Sequence, residues 1–437
     1  MWLKRVQLGL IHVAVAITLV PINSTLNRVM IKELAISATL VAIFVSLPYL
    51  LSPIQVAIGS YSDRHPILGW RRTPYILLGL LLCVGGAALA PTAAFALAEG
   101  GPIGGLLSLL AFGMWGMGYN FSAVCYLSLA SELDPQGRSR TIATMFIIMI
   151  VGIIATAIAV GRMVDPYTPA ALFRAFYVAG GAALVLGLAG LIGLEGRRAV
   201  SGAVAEERHT WGEMVRAVTA NRQARLFFWY LILLLAAILG QDVLLEPYAG
   251  EAFDLTPAQT TRITAIWGTM VLITLALANA LQARTSKRTV VKIGNWTALV
   301  GFVLIASSGL LGAAPMFYGG VVLLGLGTGF ATVSNLSLML DMTTPEKVGL
   351  FIGAWGVANA LSRLIGQVLS GALRDVITWG VGDAVTGYAV VFAIEALFIG
   401  VALILLRHVD VRAFREQAER PITLAEQAAL MHEAQGG

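Results

Sequence analysis

The stretch LPYLLSPIQVAIGSYSDRHPILGWRRTPYILLG, residues 47–79, decides how the chain must be read. Two apolar runs flank a short loop that gathers Asp63, Arg64, His65, Arg71 and Arg72. A charge at the centre of a bilayer costs about 2.5–3.5 kcal/mol on insertion scales, so this cluster belongs at a membrane surface with its flanks in lipid. Composition says the same. Of 437 residues, 58% are apolar and only 12% charged, against about 25% charged in a soluble domain. A water-facing surface cannot be covered from that supply. The net charge of +5 comes from basic residues scattered through short loops, which argues against a nucleic-acid partner. Cys83 and Cys125 both fall inside apolar runs, so neither a disulfide nor a metal site is expected.

Outward from that loop, runs long enough to cross roughly 30 Å of hydrocarbon recur along the chain. One set lies near 6–27, 36–59, 74–98, 103–130, 141–161 and 170–194. A second lies near 225–245, 258–282, 290–312, 315–340, 349–372 and 385–406. The N-terminal MWLKRVQLGLIHVAVAI resembles a signal peptide, but its apolar run continues to Leu26 without a small-residue cleavage site, so it reads as the first span. The expected fold is an all-α membrane protein of twelve transmembrane helices. Residues 1–195 form one six-helix bundle, 196–224 a cytoplasmic linker with an amphipathic helix (TWGEMVRAV), 225–408 a second bundle, and 409–437 a cytoplasmic tail. With the N-terminus inside, 22 of the 29 Lys and Arg residues fall on the cytoplasmic side, which predicts N-in, C-in.

An internal repeat supports two bundles. GMGYNFSAVCYLSL (116–129) matches GLGTGFATVSNLSL (325–338) at seven of fourteen positions without a gap. One residue later in register, Pro135, Gly161 and Asp165 match Pro345, Gly371 and Asp375. Copies running in the same direction imply two parallel six-helix repeats. The paired glycines read as packing seams.

The spacing from Gly59 through Asp63 and Arg64 to Gly69, Arg71 and Arg72 resembles the loop between helices 2 and 3 of the major facilitator superfamily. That resemblance implies that Asp63, Arg64, Arg71 and Arg72 form a cytoplasmic latch between helix ends; the plainer alternative makes them topology determinants only. STLNRVMIKEL (24–34), the 47–79 stretch, SLASELDPQGRSRTIATM (128–145) and QDVLLEPYAG (241–250) together resemble the PucC/LhaA family, the bacteriochlorophyll delivery branch of that superfamily. The resemblance covers roughly residues 5–408. It implies a pigment-handling assembly factor in a bacterial photosynthetic inner membrane. Such a factor binds or delivers bacteriochlorophyll, with carotenoid a further candidate. Its implied partners are light-harvesting antenna polypeptides, with pigment-synthesis enzymes and lipid as further candidates. The alternatives are a secondary transporter of a small amphiphile or organic anion, and a scaffold that never binds pigment.

Some family members carry the label of a bacteriochlorophyll synthase chain, but the residues argue against an enzyme. The aspartates are dispersed, and the chain has no P-loop, no CxxC and no HExxH. Two departures also weigh against drug-style antiport. The fifth span has no proline between Thr141 and Gly161, and the second-half loop QARTSKRTVVK (282–292) has no acid matching Asp63.

Polar residues within the spans are the remaining candidates. At 1.5 Å per residue, Asn23 lies about 25 Å along the first helix, and Asp242 at a similar depth in the seventh. Asn23 and Asn27, like Asp242 and Glu246, stand four apart on one expected helix face. With Gln241 and Tyr248, these residues are expected to line a cavity or pigment site. Arg28 is expected to bridge to Asp242 or Glu246, in a working cavity or in a static closure of the bundle. Arg363 and Glu395 are expected to form an intramembrane ion pair. His12 could ligate the Mg of a bacteriochlorin, although an interhelical hydrogen bond explains it equally.

Overall fold

A computed structural model of the chain describes residues 1–134, 137–196, 218–219, 221–342, 348–411 and 413–414. The linker helix expected at 210–218, Pro135 and Pro345 of the repeat, and the tail beyond 414 lie outside the described residues, apart from Val218 at the helix's end. The first helix, α1 (Trp2–Val20), runs into π-helical turns at Pro21–Leu26 and Val29–Glu33. The second region is three short pieces: α2 (Ala38–Val45), α3 (Leu47–Leu50) and α4 (Ile54–Arg64). Pro48 and Pro53 open the turns between them, where each removes one backbone donor. Then follow α5 (Thr73–Ala98), α6 (Pro102–Leu133), α7 (Arg138–Met163) and α8 (Pro169–Leu191).

In the second half, α9 (Arg222–Gly240) breaks at a 3-10 turn over Gln241–Val243 before α10 (Leu245–Phe253). The chain continues through α11 (Pro257–Gln282), α12 (Lys287–Leu310), α13 (Ala314–Asp341), α14 (Val348–Val381) and α15 (Ala384–His408). Among the described residues, nine helical segments are long and apolar enough to cross a membrane. The second region misses that standard because it is broken. Among the other long helices, α6 is diluted by Gly, Ser and Asn, and α14 by Arg363, Gln367, Arg374 and Asp375.

Packing follows the sequence repeat. In the first half α1 lies on α7 and α8, and α5 on α6; in the second, α9 lies on α14 and α15, and α12 on α13. A Cβ added at Gly118 would sit 2.4 Å from the Cys83 amide nitrogen, and one at Gly327 would sit 2.6 Å from that of Ala298. These two glycines occupy the same position of the repeat, and they bring α5 against α6 and α12 against α13 at backbone distance. Lipid offers no hydrophobic gain for helix association, so such close contact is what holds these pairs. The halves meet along α7 with α11 and along α2 with α14. There Gly161 faces the Ala258 carbonyl and its counterpart Gly371 faces that of Ala38.

Candidate functional site

The end of the bundle that carries Met1 and the 64–72 loop is called here the near face, and the opposite end the far face. At the far face both first helices of the repeat lose regular winding. Pro21 has no amide hydrogen to donate, and the chain passes into i-to-i+5 bonding beyond it. On the other side, Gln241–Val243 tighten into a 3-10 turn and Pro247 sits in the first turn of α10. The two irregular segments touch. Asn27, fully buried, donates from Nδ2 to the Val243 carbonyl at 2.8 Å and to the Asn23 carbonyl at 3.3 Å. Ser24 Oγ donates to Glu246 at 3.0 Å, and Thr25 and Thr261 share a hydrogen bond of 2.8 Å.

Further contacts continue the seam. Arg28 pairs with Glu33 and donates to the Leu255 carbonyl at 2.7 Å, and Lys32 donates to the Gly250 carbonyl. Asp375 accepts from the amides of Ala38 and Thr39 at 3.1 and 2.8 Å, so a carboxylate of α14 caps α2. Deeper in, Ser46 Oγ donates to Gln367 at 2.7 Å. Arg363 donates to Asp242 at 2.9 Å and to the Tyr49 hydroxyl at 3.2 Å, with its guanidinium 5.0 Å from the centre of the Tyr49 ring. Gln241 Nε2 donates to Asp242 at 2.7 Å. All these cross-half contacts lie between the far face and mid-depth.

Several expected pairings are corrected here. Arg28 bridges to neither Asp242 nor Glu246; it is held by Glu33 and a carbonyl. Arg363 pairs with Asp242 rather than Glu395, which accepts from Ser370 at 2.9 Å. Helix α14 begins at Val348, and its Ser370 is the residue level with Glu395, so Arg363 stands two turns away, about 10 Å. Asp242 and Glu246 do not share one helix face, because the break after Gly240 resets the helical phase between them. Tyr248 does not line the space between the halves. Its hydroxyl donates to the Ile305 carbonyl at 2.9 Å and its ring packs on Phe253, Phe317, Tyr388 and Phe392.

At the near face, Arg72 is nearly buried and reaches Asp63 at 2.5 Å and Glu132 at 3.0 Å, while Arg71 meets Glu132 at 3.0 Å. Arg64 turns back on its own helix, donating to Ser60 at 2.7 Å. Glu195 caps α5, accepting from the Arg71 amide at 2.8 Å and from the Thr73 amide and hydroxyl at 2.7 and 2.8 Å. Sequence reasoning missed Glu132 and Glu195; their only signal was an acid at the end of an apolar run. The cluster ties together the ends of α4, α5, α6 and α8. The second half has a simpler version, in which Lys287 at the start of α12 pairs with Asp341 at the end of α13 at 2.8 Å. Arg5 also ties α1 to Asp134 at 2.6 Å. Hydrogen bonds from Arg5 and then Thr141 hold the Asp134 carboxyl below the usual range for an aspartate.

His12 is buried with its ring 5.0 Å from that of Tyr126 and 5.1 Å from that of Phe146. Its Nδ1 has no hydrogen-bond partner, but the flanking rings leave no room for a macrocycle to approach that nitrogen. In this conformation the residue does not fit an axial ligand. Among the described residues there is no cluster of three or more His, Cys, Asp or Glu that could hold a metal ion.

A helical membrane protein whose halves repeat and close against each other at one end has the architecture of a facilitator-type transporter. A single-residue mutant of the nucleoside transporter NupG superposes with a TM-score of 0.73, at 14% identity, over 93% of this chain and 99% of that one. A bacterial homologue of the lysosomal transporter Spinster, inward-facing and unoccupied, gives a TM-score of 0.70 at 14% identity, over 94% and 97% of the two chains. Residues 25–414 match the family described as PUCC protein, and the chain belongs to it. The protein PucC of Rhodovulum sulfidophilum is 32% identical over 86% of this chain and 85% of its own. A bacteriochlorophyll synthase 44.5 kDa chain of Rhodobacter capsulatus is 31% identical over 97% and 99%.

Proposed function

We propose that this protein is an assembly factor that binds bacteriochlorophyll and delivers it to light-harvesting antenna polypeptides, without catalysing a reaction. It works from a photosynthetic inner membrane. The chain crosses that membrane twelve times, counting the broken α2–α4 region, α6 and α14 beside the nine apolar spans, and its near face is cytoplasmic. The observation that carries this reading is family membership over residues 25–414, with relatives named for PucC and for bacteriochlorophyll synthesis. The arrangement of the halves agrees with it, since a bundle sealed at the far face leaves the near half for a bulky amphiphile. Carotenoid is a second cargo of suitable shape, and pigment-synthesis enzymes are candidate donors.

The test is purification from pigment-containing membranes in mild detergent. Bacteriochlorin absorbance and antenna polypeptides in the same fraction support the proposal; a pigment-free protein overturns it. A second reading is a secondary transporter of a small amphiphile or organic anion working by alternating access. It is favoured by the Arg363–Asp242 pair, a breakable ionic contact between half-buried groups at mid-depth. Gradient-driven uptake into vesicles by pigment-free protein distinguishes the two.

A further inference from the structure

Glu246 is the acid on which the far-side seam closes, and among the described residues it has no ionic partner. It is 4% exposed, and its two oxygens accept from Ser24 of the first half at 3.0 Å and from Thr264 of α11 at 2.5 Å. The charged groups around it are committed elsewhere. Asp242 and Arg363 hold each other, Arg262 reaches Asp165 at 3.8 Å, and Glu395 rests on Ser370. Glu251 lies a turn further along α10, and Tyr248 points away to α12. Among the described residues, Arg28 is the cation close by. It sits against Gly250, one turn from Glu246, where an added Cβ would come within 3.1 Å of its Nε. Its guanidinium serves Glu33 and Leu255, while the Nε hydrogen is buried without an acceptor.

An ionised carboxylate in this position lacks a counter-ion in a medium of low dielectric, and two hydroxyl donors replace only part of its hydration. A carboxylic acid fits instead, because it can give its own hydrogen to one hydroxyl and accept from the other. We propose that Glu246 is a proton-binding site and that the bound proton holds the far-side gate shut.

Release is balanced by groups already present. The O–H bond of Glu246 breaks and the proton passes to far-side water. The carboxylate left behind draws Arg28, whose spare N–H already lies beside α10. Glu33, 36% exposed, is left to water. Arg28 then gives up Leu255, and Ser24 loses a neutral partner, so two of the bonds that join the halves are weakened together. The gate closes in acid and opens as pH rises. Family membership and the pigment reading do not call for a proton site; this one takes its proton whatever the cargo.

The test uses the full-length protein in lipid nanodiscs, with spin labels on Glu99→Cys and Leu311→Cys, exposed positions on the far face of opposite halves. The native cysteines are both buried. The inter-label distance is expected to be short in acid and to lengthen as pH rises. Glu246→Gln is expected to keep the short distance at every pH, and Glu246→Asp to keep a response with a shifted midpoint. Glu395→Gln, an equally buried acid away from the seam, is expected to respond as the parent does. A parent distance indifferent to pH overturns the proposal. So does a Glu246→Gln variant that still follows pH, or a response abolished by Glu395→Gln. Should Glu246→Gln fail to fold, the infrared spectrum decides: a protonated-carboxyl band in the parent that Glu246→Asp shifts supports the site, and an unmoved or missing band removes it.

Discussion

In residues 1–195 every acidic side chain stands at a helix end or in a loop, whereas the second half carries Asp242, Glu246 and Glu395 among its packed helices. The contrast runs the other way at the near face. There the first half joins four helix ends through Arg71, Arg72, Asp63, Glu132 and Glu195, where the second half sets the Lys287–Asp341 pair. The shared features are the glycine contacts of α5 with α6 and of α12 with α13. A repeat that keeps its packing and redistributes its charges has kept a scaffold and divided the labour. One half is braced near its loops, and the other holds the groups able to break and remake contacts at the seam.

The largest expected effect tests the shared scaffold. Gly118→Leu and Gly327→Leu each force a side chain into a backbone, which costs about 3 kcal/mol or more for overpacking. Both variants should lose most of their folded yield, read by monodisperse recovery in detergent. A sharp difference between them would break the idea that the halves pack alike. Next comes the buried charge of the second half. Arg363→Ala leaves Asp242 half-buried without its cation, a loss of about 3 kcal/mol. Thermal stability should recover in large part with Asp242→Asn added, and a double-mutant cycle that shows no coupling would refute the pairing.

The near-face comparison predicts a smaller, unequal effect. Glu132→Gln strips two arginines, one of them nearly buried, and should cost about 1–2 kcal/mol. Asp341→Asn breaks a pair a third or more exposed and should cost less than about 1 kcal/mol. Equal losses in melting temperature would mean that the extra charges of the first half brace nothing. The smallest effect concerns acid. The Asp134 carboxyl is held below its unfolded value, so the tie to Arg5 is present above the ordinary aspartate range and is lost as pH falls through the lowered one. Hydrogen exchange at the start of α1 should rise there, and Asp134→Asn should remove the step.

Much of the scaffold was legible because lipid imposes simple rules: composition set the solvent, span length set the elements, and the glycine repeat marked the close seams. The site was less legible. Helix faces predicted from a uniform 3.6-residue winding put Asp242 beside Glu246, but Pro21 and the turn at Gln241 change the winding where the candidates lie. Pairings across some two hundred residues, such as Ser24 with Glu246, depend on that phase and on which half leans toward which. Glu132 and Glu195 went unnoticed because an acid ending an apolar run looks like any surface residue until its partners are placed.

The carboxylate of Asp375 on the first amides of α2 has a mechanical consequence. A helix whose start is supplied with its acceptor by the opposite bundle cannot part from that bundle without exposing bare amides. The repeat-related acid, Asp165, reaches the tip of the long Arg262 side chain at 3.8 Å. Rocking of one bundle on the other should therefore pivot about the α2–α14 edge, with the α7–α11 edge swinging through the larger arc.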